Sequence, residues 1–279
     1  MTPLTAGNTR VKEARKLHRR PERSGRRCFL ADGPKAVEGA LGAGVVVEVF
    51  ATTDAARQYA DLLAEAPVTL VDDRAMGGLS DSVSPAGLVA VCRFLEATWD
   101  SVVEVRALRG SQARTSGQAE QGVETPRLLT ICADVRDPGN AGTVIRTSDA
   151  AGAGAVVLAG DSVDPYNPKT VRATVGSLFR LPVLLERDPA AAVRRAQAAG
   201  LTVLAADGGG EVDLFEADEL LERPTAWLFG NEAWGLPDEL AALADHRVSI
   251  PILGGAESLN LATAAAVCLY ASARAHRTR

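Results

Sequence analysis

Five polar residues in the second half of the chain have types and spacing that could do chemistry: Asn140, Arg146, Glu232, Ser258 and Asn260. They fall in three short segments, Asp137-Pro-Gly-Asn-Ala-Gly-Thr-Val-Ile-Arg146, Leu228-Phe-Gly-Asn-Glu-Ala-Trp-Gly-Leu-Pro237 and Ile250-Pro-Ile-Leu-Gly-Gly-Ala-Glu-Ser-Leu-Asn260. Each reads as a strand end running through a polar or glycine-bearing loop into a helix. Open α/β sheets bind ligands in the loops at the carboxyl ends of their strands, so three such loops outline one binding region. Arg146, two turns into its helix, can hold a phosphate bidentately. Taken singly, each segment also has a purely local explanation. Pro138 and Gly139 are turn formers, and Asn140 and Ser258 are good N-caps. A dinucleotide-binding reading fails, because Gly208-Gly-Gly210 runs into Glu211-Val-Asp213 without the G-x-G-x-x-G spacing.

Positioning these residues takes two blocks of alternating strand and helix, which indicate an α/β protein. The first block, residues 1–105, is expected to hold a basic helix over 8–20 and strands at 28–31, 45–50, 68–71 and 87–94, with helices at 34–41 and 54–65. Residues 106–126 are dominated by Gly, Ser, Gln and Thr, a flexible-linker composition that marks a domain boundary. The second block, 127–279, is expected to hold strands at 128–133, 155–158, 178–185, 201–205, 225–229 and 247–252. Helices are expected at 141–151, 169–176, 189–199, 237–244 and 258–274. Strands that are continuous apolar runs imply a mostly parallel sheet covered on both faces. The last helix is apolar nearly all round, so it should be buried or lie in a subunit interface.

The 279 residues are 47% hydrophobic and 23% charged, ordinary for a globular protein, and no run approaches the roughly 18 apolar residues that cross a bilayer. The N-terminus is basic and polar, with no apolar secretory core, which reads as a cytoplasmic protein. Cys28, Cys92, Cys132 and Cys268 are scattered without a disulfide or zinc spacing, as buried free thiols would be. A formal net charge of −5 argues against a nucleic-acid partner, but the distribution argues for one. Residues 1–27 carry nine basic side chains against two acidic ones, the footprint of phosphate binding. Arg10, Arg15, Lys16, Arg19 and Arg20 are the candidate contacts to RNA.

The three segments together resemble the signature motifs of the SpoU (TrmH-type) RNA ribose 2′-O-methyltransferases of the SPOUT superfamily. The match rests on Asn140 and Arg146, on Gly230, Glu232 and Gly235, and on Ser258 and Asn260; Ala233 stands where the family has a middle glycine. The resemblance implies transfer of a methyl group from S-adenosylmethionine to a ribose 2′-hydroxyl, with no metal. It makes Arg146 the central catalytic residue, holding a phosphate and helping deprotonate the hydroxyl, with Asn140, Glu232, Ser258 and Asn260 around it. Backbone groups of Gly230, Ile250 and Leu259 would grip the methyl donor, with Leu228 and Asn260 alongside. Residues 167–176 also fit the family, which makes Lys169 and Arg172 RNA-phosphate contacts. The resemblance further implies a homodimer held by a C-terminal SPOUT domain. A deep trefoil knot would form there, a rare exception to chain-threading rules. The first block resembles the family's small RNA substrate-binding domain. Ribosomal RNA is the favoured substrate on this architecture; a tRNA target and a non-catalytic RNA-binding relative are the alternatives.

Overall fold

The basic N-terminus is anchored by apolar side chains that recur at helical spacing. In the computed structural model, which describes residues 2–102 and 126–277, it forms two helices, Thr9–Lys16 and Arg20–Arg26, where the sequence suggests one. Pro21 explains the break, since it has no N–H to donate to the Leu17 carbonyl and so cannot continue the first helix, whereas in the first turn of a new helix that missing donor costs nothing. Val11, Ala14 and Leu17 are buried, so this segment is part of a core. Beside it lies a four-stranded sheet of β1 (Cys28–Asp32), β2 (Val46–Ala51), β3 (Val68–Leu70) and β4 (Leu88–Arg93), in the order β1-β4-β2-β3. Strand β4 is antiparallel to β1 and β2, and β2 is parallel to β3. The helix expected over 54–65 covers only Thr53–Gln58, and a short helix at Asp73–Leu79, capped by Asp72, went unread in the sequence.

By packing, the chain divides into Met1–Leu95 with Asp164–Arg180, and Glu96–Val163 with Leu181–Arg279. Most of the linker expected at 106–126 lies outside the described residues. The first unit ends earlier than the expected residue 105 because Val102 is buried, and Trp99 half-buried, in the core of the second. Asp164–Arg180 completes the first unit through aromatic side chains and one buried ion pair. The Tyr166 ring stacks on Phe94 at 4.0 Å between centroids, and Phe179 stacks on Phe29 at 6.0 Å. Arg23 is 2% exposed and binds Asp164 Oδ2 through Nε (3.0 Å) and Nη2 (2.7 Å). Its remaining Nη1 donates to the carbonyls of Leu17 and His18, so a buried charge is fully paired.

The second unit is a parallel sheet whose central strands are buried on both faces. Strands β5 (Leu128–Ala133), β6 (Ala155–Ala159), β7 (Val183–Glu186), β8 (Thr202–Ala206), β9 (Val212–Asp213), β10 (Thr225–Phe229) and β11 (His246–Ser249) lie in the order β7-β6-β5-β10-β8-β11-β9. All six pairings are parallel. On one face Leu128, Cys132, Trp227 and Phe229 pack with Val144, Ile145, Ala265 and Leu269 from two helices, Pro138–Ala150 and Leu261–Arg277. On the other face Leu129, Ile131 and Leu228 pack with Ala192, Val193 and Ala196 of the helix Pro189–Ala198. Two buried polar pairs bridge these layers. Trp227 Nε1 donates to Ser272 Oγ (2.9 Å), and Thr130 and Ser148 share a 2.8 Å bond.

Several expectations shift here: the strand expected at 247–252 ends at Ser249, and the helix expected at 237–244 covers only Asp238–Ala241. The strand expected at 178–185 is a turn at Ser177–Phe179 followed by β7, with Pro182 between them, whose carbonyl accepts from the Val156 N–H at 3.0 Å but which has no N–H to donate in return. The last helix begins at Leu261, three residues later than expected. Ala262, Ala265 and Leu269 are covered by their own unit, while Ala266 is half-buried and Tyr270 is 54% exposed.

Candidate active site

The three motif segments meet at the carboxyl ends of β5, β10 and β11. Asp137, rather than Asn140, caps the Pro138–Ala150 helix, its Oδ1 accepting from the Asn140 N–H at 2.7 Å. The Asn140 side chain is therefore left for tertiary bonds. Its Nδ2 donates to Glu232 Oε1 (3.3 Å), and its Oδ1 accepts from Asn260 Nδ2 (3.1 Å). Glu232 also accepts from the backbone N–H groups of Arg136 (3.2 Å) and Asp137 (3.0 Å). Asn260 in turn caps the last helix, its Oδ1 accepting from the Ala262 N–H at 2.9 Å, a role the sequence had suggested for Ser258. One run of side-chain hydrogen bonds, Asn260 to Asn140 to Glu232, thus joins all three motifs. Such a network is stiffer than its separate bonds, because each partner orients the next.

The loop after β10 is closed on itself. Asn231 and Gly235 exchange backbone hydrogen bonds of 2.9 and 3.0 Å. A Cβ on Gly230 would stand 2.3 Å from the Gly235 carbonyl carbon, so only glycine permits this crossing. The positive φ falls at Gly235 (+71°), and Ala233 has an ordinary backbone; this is why the loop tolerates alanine where the family has glycine. Asn231 is 7% exposed and anchors the turn, donating from Nδ2 to the Asp134 carbonyl at 2.7 Å and accepting from the Ala233 N–H. Sequence reading passed over Asn231, Asp134 and Asp137. The one available signal was that each is an Asn or Asp at a strand end, a type that bonds nearby backbone.

Other candidate residues carry no such bonds. Arg146 lies on the helix that begins beside Asn140, is exposed, and makes no hydrogen bond or ion pair among the described residues. Ser258 is likewise exposed and unbonded among them. No backbone group of residues 250–259 finds a partner within the described residues. Leu253 is 89% exposed in this loop, Leu259 38% and Ile252 37%. Free backbone donors and acceptors beside exposed apolar side chains are what a purine and its ribose require of a binding site. Ile250 and Leu259 are thus available to a methyl donor, whereas Gly230 is buried under the crossing of Gly235 and Leu236. Leu228 is not available either: its side chain is fully buried in the sheet. Beneath the site, burial pushes the Cys132 thiol up to about 12, with the Glu232 charge adding to the effect, so this sulfur stays protonated and inert. Among the described residues no cluster of His, Cys, Asp or Glu could hold a metal ion.

The expected RNA contacts all belong to the first unit. Arg10, Arg15, Lys16, Arg19 and Arg20 are exposed, although Arg10 is paired with Glu48 and Lys16 with Glu13. Lys169 and Arg172 lie on the helix Pro168–Thr174, where Lys169 is exposed and Arg172 binds Asp81 at 3.2 Å. Arg23, counted in the basic run, is buried and cannot serve.

Residues 127–270 match the SpoU rRNA Methylase family, and residues 8–90 match the MRM3-like substrate binding domain. The 23S rRNA (guanosine(2553)-2′-O)-methyltransferase RlmP of Bacillus subtilis is 31% identical over 95% of this chain and 96% of its own. A 23S rRNA (uridine(2479)-2′-O)-methyltransferase of Streptomyces viridochromogenes is 41% identical over 49% of each chain. Among solved structures, an AdoMet-bound rRNA methyltransferase from Sinorhizobium meliloti superimposes with a TM-score of 0.77 at 30% identity, covering 98% of this chain and 97% of that one. The SpoU methyltransferase AviRb from Streptomyces viridochromogenes, in complex with AdoMet, gives 0.78 at 27% identity, covering 98% and 100%. With residues 127–270 matched by the family and the Bacillus subtilis relative matched at 31% identity along 96% of its length, the chain belongs to the SpoU rRNA methylase family.

Proposed function

We propose that the protein methylates a ribose 2′-hydroxyl of ribosomal RNA, using S-adenosylmethionine. The observation that carries this reading is the joining of three strand-end motifs by the Asn260–Asn140–Glu232 bonds, with Arg146 left uncommitted beside them. When bound, the donor supplies an activated methyl group on a sulfonium, so the products are a 2′-O-methyl ribose, a neutral thioether and one proton. Residues 250–259 hold the donor through backbone groups, and Ile250 and Leu259 flank its purine. Arg146, a cation at any working pH, grips the phosphate next to the target ribose and favours ionisation of the hydroxyl by its field. Asn140, Glu232 and Asn260 fix the helix that carries Arg146 relative to the donor loop, and Ser258 is free to bond the substrate.

Lys12, Arg15, Arg19 and Arg20 are exposed and unpaired among the described residues and so supply phosphate contacts. Lys169, Arg172 and the paired Arg10 and Lys16 can exchange their partners for phosphate. The same reading assigns the chain after β10 the family's trefoil knot, a homodimer through the C-terminal domain, and a cytoplasmic location. A hydropathic reason for the dimer survives in the exposed Tyr270 and half-buried Ala266 of the last helix. Among the described residues no helix is long and apolar enough to cross a membrane.

The test is incorporation of labelled methyl into an unmodified 23S rRNA transcript, with the product located by its resistance to alkaline cleavage at one ribose. Label in tRNA alone would overturn the ribosomal assignment. Donor binding without any transfer would make the protein a non-catalytic relative. Changing Lys12, Arg15, Arg19 and Arg20 together to Ala lowers the salt slope of RNA binding by about 0.7–0.9 for each phosphate they neutralise. Deleting the segment is no substitute, because Leu17 and Arg23 belong to the core.

A further inference from the structure

Trp234 is 56% exposed, two residues beyond Glu232 and on the most tightly closed loop of the site. A large aromatic offers a partner more apolar area than almost any other residue. The guanidinium of Arg136 lies over its ring, 5.1 Å from the centroid. Both partners stand on bonded backbone. The Arg136 N–H is held by Glu232, the Arg136 side chain reaches Asp161 at 3.8 Å, and the reciprocal Asn231–Gly235 bonds fix the turn that presents Trp234. The Trp234 indole N–H has no acceptor among the described residues.

We propose that Trp234, backed by Arg136, is a stacking platform for a nucleobase of the RNA at or beside the methylated nucleotide. The proposal rests on the RNA reading of the site given above. A cation over part of the ring leaves the rest of the π-surface open to a flat, neutral partner, and the guanidinium places positive charge where a flanking phosphate would run. Sequence-specific RNA recognition uses splayed bases stacked on aromatic and arginine planes in this way. Because every base has a π-face, Trp234 positions the strand and contributes affinity without choosing the base. The turn is already ordered, so little entropy is lost when a base arrives. Trp234 is a positioning residue; it need not touch the reacting oxygen.

The test uses the full-length protein, S-adenosylmethionine and the unmodified 23S rRNA transcript. Stacking is worth about 1–3 kcal/mol per base, so Trp234→Ala should raise the KM for RNA by about 5- to 150-fold while leaving the Kd for S-adenosylmethionine unchanged. Trp234→Phe should restore most of the loss. Adding RNA should quench indole emission in the wild type and not in Trp234→Phe, a signature that a merely structural tryptophan would lack. An unchanged KM in Trp234→Ala, or an emission unmoved by RNA, overturns the platform while the methyltransferase reading stands. Loss of S-adenosylmethionine binding, or conversion of a dimer to a monomer by Trp234→Ala, assigns the side chain elsewhere and also overturns it. If the wild type transfers no methyl to RNA, both readings fall together.

Discussion

Half of the site is bonded to itself, and half has no bonding partner among the described residues. Asn140, Asn231, Glu232 and Asn260 spend their polar groups on one another and on loop backbone. Arg146, Ser258 and the backbone of residues 250–259 spend none among the described residues. Both halves lie at the same end of one rigid parallel sheet, so the difference is not one of general order. It separates the groups that hold a geometry from those that wait to engage a substrate or a donor, and a residue type alone does not reveal which it will be. Asn140 and Ser258 are both plausible caps by sequence, yet the structure gives capping to neither.

The largest effect that tests this division is at Arg146. Arg146→Ala should lower methyl transfer by about 10²–10⁴-fold, with the thermal midpoint and donor affinity unchanged, because no internal bond is lost. A drop in stability would show that Arg146 belongs to the holding half. Glycine substitutions offer a sharper contrast. Gly230→Ala forces a Cβ against the Gly235 and Leu236 backbone, and should destabilise the protein by about 1–3 kcal/mol in denaturant titration. Gly254→Ala and Gly255→Ala meet nothing within 4 Å in the open loop and should stay within about 0.5 kcal/mol of wild type. Equal losses at both places would erase the distinction. The smallest expected effect separates the two cap candidates. Asn260→Ala removes a real N-cap and should cost about 0.5–2 kcal/mol, whereas Ser258→Ala should leave stability within error and act only on catalysis.

The sheet was legible because its strands are unbroken apolar runs. The segments at 128–133 and 225–229 match β5 and β10 to the residue. Legibility failed where proline or a tertiary bond decided the outcome. Pro21 splits the basic helix, and Pro182 truncates the strand expected at 178–185. Asn260 starts the last helix three residues late because its side chain can both cap that helix and reach Asn140, which no local pattern records. The motif residues could be picked out by their order along the chain. Which of them bind each other could not, since Glu232 and Asn140 lie 92 positions apart.

Arg23 and Asp164 are 141 positions apart, and their pairing bears on how this chain is made. The first unit needs Asp164–Arg180 to complete it, so it cannot finish folding when residue 95 leaves the ribosome. At about 5–20 residues per second, the remaining stretch to residue 180 takes roughly 4–17 s to synthesise. During that interval Phe29 and Phe94 lack the rings of Tyr166 and Phe179, and the Arg23 guanidinium lacks its carboxylate. A nascent chain paused there presents an apolar surface and an uncompensated charge together, a state open to aggregation. An N-terminal fragment cut at residue 95 inherits the same defect permanently. Such a fragment would fold only if the short peptide of residues 164–180 were supplied beside it.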